Sequence, residues 1–198
     1  EHRALFWSTV GRLFARIPDP PVETKPRTAA EFVERAFIRT AKDKTKGKQA
    51  WDDLSAAILL EPENAQLYLT RASLGMGIDG QDLADLRRAL EIDPKLGRAY
   101  VRMALMTNDK GDQAQAWALA QKAIELDPAE PTGWGACAWL CLMKHEYAQA
   151  VHYYSRAIEL NPLDWVTRYM LSDVLQQDER IDEVKILREI SARGRTLQ

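Results

Sequence analysis

The sequence predicts an all-α protein: a right-handed α-solenoid of about five helical hairpins, preceded by an N-terminal amphipathic helix and a Pro-rich linker. Three observations carry this. Pro94, Pro128 and Pro162 are spaced 34 residues apart, and Pro62 lies 32 before Pro94. Each closes an apolar run (Leu59-Leu60-Glu61, Glu91-Ile92-Asp93, Glu125-Leu126-Asp127 and Glu159-Leu160-Asn161), as expected where proline ends one helix and sets up the next. Small residues recur at fixed offsets from those prolines: Ala57, Ala89, Ala123 and Ala157 five positions before, and Ala50, Ala116 and Ala150 twelve before, with Asp82 as the misfit.

Internal periodicity of this length means stacked supersecondary units, none of which can bury its apolar face alone. In the first helix of each unit a further small residue recurs at Ala72, Ala104, Ala138 and Ser172. Small residues at fixed helical positions let two helices approach closely. Large ones stand beside them: Leu54, Leu86 and Tyr154 in second helices, Tyr68, Tyr100 and Trp134 in first helices.

This pattern resembles the tetratricopeptide repeat, whose copies carry an aromatic at the fourth position, a large apolar residue at the seventh and a small one at the eighth. Alanines follow at the twentieth and twenty-seventh positions, and proline at the thirty-second. Residues 131–162 match best, through Trp134, Cys137, Ala138, Ala150, Tyr154, Ala157 and Pro162. Residues 97–128 follow, with Tyr100, Met103, Ala104, Ala116, Ala123 and Pro128. Residues 65–94 form a copy two residues short, 31–62 a degenerate first copy with Phe37, and 165–198 a terminal copy with Leu171, Ser172, Val184 and Ser191 but no closing proline. The resemblance covers about 168 of 198 residues. A 35-residue RNA-reading repeat is the main look-alike; the 34-residue spacing and the negative stack speak against it.

The resemblance implies that first helices line a concave groove. Its exposed positions would be Phe32, Arg35, Arg39 and Lys42 in the first repeat, and Gln66, Leu69, Thr70 and Ser73 in the second. Arg98, Arg102 and Asn108 follow in the third, Trp139, Leu142 and Met143 in the fourth, and Tyr169, Met170, Asp173 and Gln176 in the fifth. Such a groove is cationic at its start and apolar toward its end. Some family members clamp a C-terminal carboxylate at the positions held here by Arg35, Arg39, Thr70, Arg98 and Arg102. Only Arg102 is identical to that pattern, and both asparagines are replaced. Guanidinium forks still suit carboxylates. The plainer alternative pairs these arginines with neighbouring acids such as Glu34 or Asp109, and packs Trp139, Leu142 and Met143 between hairpins.

Residues 1–17 form the predicted N-terminal helix, with Phe6, Val10, Leu13, Phe14 and Ile17 on one face and Trp7 nearby. Residues 18–30, beginning Pro18-Asp19-Pro20-Pro21, form the linker. Thr28 and Glu31 have capping-box spacing and should start the first repeat helix. Three occupants stand open for the apolar face: the end of the stack, another protein, or a membrane surface. The chain begins at Glu1 rather than Met, which leaves open an upstream targeting segment or anchor.

Charge and chemistry narrow the function classes. Net charge is −2, giving no global drive toward nucleic acid. Residues 1–50 hold 11 Lys and Arg against 6 Asp and Glu, whereas 51–198 hold 16 against 23. The run Lys42, Lys44, Lys46 and Lys48 reads as a solvated turn. No run of 18 apolar residues occurs. Cys137 and Cys141, four apart, fit disulfide geometry poorly and read as buried small apolar residues, which favours a reducing compartment such as cytoplasm or organelle matrix. Gly75-Met76-Gly77-Ile78-Asp79-Gly80 matches the letter of a dinucleotide fingerprint, but a helix rather than a strand precedes it, so it reads as a tight turn. His2, His145 and His152 have no metal-ligand spacing, and Asp52-Asp53 and Glu179 with Asp182 read as solvated faces. No catalytic residue, cofactor, metal or small-molecule substrate is expected. A non-catalytic scaffold binding a protein segment in its groove is the leading expectation. The alternative is a structural or assembly subunit of a larger complex, perched at a membrane or not, docked through residues 1–17.

Overall fold

The first helix starts where its capping signal predicts. Thr28 Oγ1 accepts the Glu31 N–H at 3.3 Å, and the Glu31 carboxylate accepts the Arg27 N–H at 2.7 Å, satisfying donors that a helix start leaves unpaired. From there the computed structural model describes residues 26–42, 46–74 and 80–177. Outside them lie the predicted helix 1–17, with Phe6, Trp7, Val10, Leu13, Phe14 and Ile17, and the linker up to residue 25. Residues 75–79 of the glycine motif and 178–198 of the terminal repeat also lie outside. Among the described residues there are nine helices and no strand.

The chain divides into two compact units, Glu1–Pro94 and Lys95–Gln198. The first contains α1 (Ala29–Lys42), α2 (Gly47–Leu60), α3 (Ala65–Ser73) and α4 (Gln81–Ile92). The second contains α5 (Gly97–Asp109), α6 (Gln113–Leu126), α7 (Pro131–Met143), α8 (Tyr147–Leu160) and α9 (Trp165–Gln177). Helices pair as hairpins: α1 with α2, α3 with α4, α5 with α6, and α7 with α8. Within the second unit α7 also lies against both α5 and α6.

Local chemistry explains the boundaries. Asn64, Asp112 and Asp164 cap α3, α6 and α9, their side chains accepting N–H groups of Gln66, Gln115 and Val166 at 3.0–3.1 Å. The closing prolines do more than stop helices. Tyr68 Oη donates to the Pro62 carbonyl, and Trp134 Nε1 to the Pro128 carbonyl, each at 3.0 Å. In these two hairpins the fourth-position aromatic thus ties the first helix back onto the turn that precedes it. Within hairpins, α5 and α7 end in the same left-handed cap. Gly111 N–H bonds the Asn108 carbonyl at 2.8 Å and Asp112 N–H that of Thr107 at 3.3 Å; His145 and Glu146 bond Leu142 and Cys141 at 3.0 and 2.9 Å. Gly111 has φ +89° and His145 φ +60°. His145 therefore carries strain that glycine avoids. Its ring lies 2.9 Å from Tyr147 Oη, a local partner that holds this turn.

The core is built on alanine. Ala50, Ala57, Ala72 and Ala89 in the first unit, and Ala104, Ala116, Ala138 and Ala150 in the second, have no exposed surface. In the first unit Leu54 packs with Ala36 and Ala50, while Ile58 and Leu67 pack with Ala29 and Ala57. In the second, Cys137 and Leu140 pack with Ala104, Ala116 and Ala120; Tyr154, Leu171, Val174 and Leu175 pack with Ala138, Cys141 and Ala150. Interiors this close-packed leave no room for added methylenes. Ala104→Leu and Ala150→Leu are each expected to cost about 1–3 kcal/mol, measured as a lowered guanidinium midpoint. Unchanged midpoints would contradict the close helix approach.

Candidate functional site

In the first unit the predicted groove cations are engaged inside their own hairpin. Arg35 donates from Nε and Nη2 to the two carboxylate oxygens of Asp53, at 3.1 and 2.6 Å. Arg39 Nη1 reaches the same carboxylate at 2.6 Å and the Gln49 carbonyl at 3.2 Å. Asp53 is 3% exposed. This corrects the expectation of a solvated Asp52-Asp53 face: Asp52 is exposed, but Asp53 is turned inward beside Leu54, where α1 supplies two guanidinium groups one turn apart. Thr70 is half-buried, and its hydroxyl donates to the Gln66 carbonyl at 2.7 Å.

A second buried pair repeats the arrangement. Arg71 donates to both oxygens of Asp85 at 2.7 Å, and from Nη1 to Ser55 Oγ at 3.0 Å. Gln81 Nε2 also donates to Asp85, and the Arg71 guanidinium lies 4.8 Å from the centre of the Trp51 ring. The parallel is positional. Asp53 and Asp85 each stand nine residues before a closing proline, where the second unit has Leu119 and Tyr153. Arg71 stands nine after one, where later repeats have Met103, Cys137 and Leu171. Neither ion pair was foreseen; the signal was a charged residue in a column otherwise apolar.

The second unit presents a different surface. Arg98 has a side chain 61% exposed, 3.5 Å from Glu130, longer than a charge-assisted hydrogen bond of about 2.7–2.9 Å. Arg102, one turn further along α5, is half-buried. On α7, Trp139 is half-buried against the Ala104–Leu140 cluster, Leu142 is buried in the core, and Met143 is 44% exposed. On α9, Tyr169 is 47% exposed and Met170 packs against the cluster that holds Leu142. Of the predicted apolar set, Met143 and Tyr169 are open to solvent, Trp139 and Met170 are partly so, and Leu142 faces inward. Leu163 and Trp165 are exposed as well, and Trp165 and Tyr169 have the four-residue spacing of one helix face, a signal the repeat register does not carry.

Cys137 and Cys141 are free and buried, as expected. Burial, with help from Cys141, pushes the Cys137 thiol up to about 12; burial, then Glu146, pushes Cys141 to about 11. Both are therefore protonated thiols at neutral pH, not nucleophiles. The Tyr154 phenol is raised too, chiefly by burial. His145 lies in an inter-helix turn and His152 on the exposed face of α8, where the sequence puts them. Gly80, with φ +81°, precedes α4, and α3 rather than a strand precedes the glycine segment. Among the described residues no three His, Cys, Asp or Glu side chains are grouped to hold a metal ion, and no helix is long and apolar enough to cross a membrane.

No family model and no curated protein matches the chain. Solved structures do. PilW, described as a widely conserved type IV pilus biogenesis factor, is 14% identical with TM-score 0.68, over 86% of this chain and 79% of that one. PilF of Pseudomonas aeruginosa is 16% identical with TM-score 0.66, over 84% and 76%. The APC/C hetero-tetramer Cut9–Hcn1 aligns over 97% of this chain but 37% of the other, at 14% identity and TM-score 0.71. At such identities the likeness shows the fold, and that fold is tetratricopeptide-like, as the repeat spacing implied.

The ion pairs differ in how they should respond to mutation. Asp85→Ala strands a guanidinium only 8% exposed and is expected to cost about 3–5 kcal/mol. Asp53→Ala should cost clearly less, because Arg35 and Arg39, about a third exposed, can turn into water. Urea unfolding of the two variants checks this ordering; the reverse order would contradict it.

Proposed function

We propose that this chain is a non-catalytic protein-interaction scaffold, and that its second unit holds a partner segment carrying both acidic and apolar residues. The observation that carries this reading is the pairing of the exposed Arg98, with Arg102 a turn away, and the open apolar side chains Met143 and Tyr169 on the first helices of neighbouring hairpins. Such a surface suits a carboxylate at one end and an apolar anchor at the other. The first unit is the weaker candidate, since Arg35 and Arg39 already share Asp53. A tetratricopeptide-like fold supports a binding role.

The test uses a panel of fluorescent 12-residue peptides pairing two adjacent acids with Leu, Phe or Trp two to six residues away. The tightest member should bind in the micromolar range, about −8 kcal/mol, and raised salt should weaken it. Arg98→Glu with Arg102→Glu should weaken it at least tenfold. Equal binding by that variant, or no binding by any member, would sink the proposal.

A second reading makes the chain an assembly subunit docked through residues 1–17. Its support is that similar structures include a pilus biogenesis factor and a subunit of a hetero-tetramer. Here the expected outcome is that deleting residues 1–27 removes the chain from its native complex while peptide binding persists. Unchanged incorporation would rule it out.

A further inference from the structure

Helix α7 contains two glycines, Gly133 and Gly135, and they are there for different reasons. A Cβ at Gly133 would meet Ile124 Cγ1 at 3.0 Å and the Ile124 nitrogen at 3.2 Å, so a side chain there would crowd the contact between α6 and α7. A Cβ at Gly135 would meet nothing within 4 Å, and no left-handed backbone calls for glycine there. Glycine inside a helix destabilises it relative to alanine. At Gly135 neither packing nor backbone geometry offsets that cost. What glycine does provide is a place where another backbone can come close.

The surroundings indicate what would come. Gly135 lies between the start of α7 and Trp139, one turn further on along the same helix face. At the start of α7, the residue preceding its first turn is Glu130, and the exposed Arg98 stands 3.5 Å from it. Beyond Trp139 on that face is the exposed Met143. This face therefore has the ion pair of Arg98 and Glu130, with Arg98 the more exposed member, on the N-terminal side of Gly135 and apolar surface on its C-terminal side. We infer that Gly135 is the contact point at which the main chain of an acidic–apolar peptide crosses α7, its carboxylate toward Arg98 and its apolar side chain toward Trp139 and Met143. This rests on the binding surface proposed above and specifies how the peptide lies on it.

The tightest peptide of the panel is the probe, with fluorescence anisotropy for binding and thermal unfolding for the fold. Gly135→Ala should unfold at a higher temperature than the parent yet bind more weakly. Gly135→Leu fills the open space and should bind at least tenfold more weakly. Gly133→Ala should unfold at a lower temperature with the dissociation constant unchanged. If Gly135→Leu binds like the parent while Arg98→Glu with Arg102→Glu loses the peptide, the crossing point is wrong and the binding surface stands. If the arginine variant also retains the peptide, the binding surface itself fails. A lowered unfolding temperature for Gly135→Ala would show a structural need for glycine and overturn the inference, and this variant decides the matter should the leucine variant not fold.

Discussion

Close approach between paired helices is the constraint on which the rest of this structure depends. It is achieved with alanine at the contacts; among the described residues ten alanines have no exposed surface. Alanine suits the task twice: it has the highest helix propensity, and it loses no side-chain entropy when buried. Once backbones are this close, the larger side chains have few places to go. Leu54, Leu86, Leu140 and Tyr154 fill the spaces beside the contacts. First-helix side chains facing away from their hairpin are left for other uses. The proposed binding surface thus follows from the packing rule and is not an addition to it.

The two units meet this constraint with different interiors. The second is apolar throughout its clusters, from Ala104 and Cys137 to Val174 and Leu175. The first places two aspartates, Asp53 and Asp85, in the column where the second has Leu119 and Tyr153, and answers them with arginines. Buried ion pairs are poor sources of net stability, because desolvation offsets their attraction. What they impose is geometry: a guanidinium fork accepts a carboxylate in few orientations. They also engage Arg35 and Arg39 of α1, whereas the side chain of Arg98 on α5 is 61% exposed.

Much of the fold was legible because repetition multiplies weak signals. One proline says little; prolines at Pro94, Pro128 and Pro162 with alanines at constant offsets define hairpins and their register. Thr28 and Glu31 located a helix start, and Cys137 and Cys141 were read correctly as core residues. The candidate site was less legible. Periodicity identifies the face a residue occupies, but not how far it leans or what it meets. Leu142 has groove register yet sits in the core, in one cluster with Tyr154 and Leu171 of neighbouring helices. Asp53 looked like half of a solvated acidic pair because its partners lie 14 and 18 residues away, on another helix. Gly133 and Gly135 are the same letter in the sequence and differ only in what surrounds them.

The central proposal is that an alanine-packed unit offers a cation, a bare stretch of backbone and apolar side chains to a peptide. Chemical-shift mapping of the full chain, titrated with the acidic–apolar peptide, tests that claim most directly. The account predicts that amide and side-chain shifts concentrate on Arg98, Arg102, Gly135, Trp139, Met143 and Tyr169, along α5, α7 and α9. Shifts confined to the second helices, at Lys122, His152 and Arg156 on α6 and α8, would contradict it.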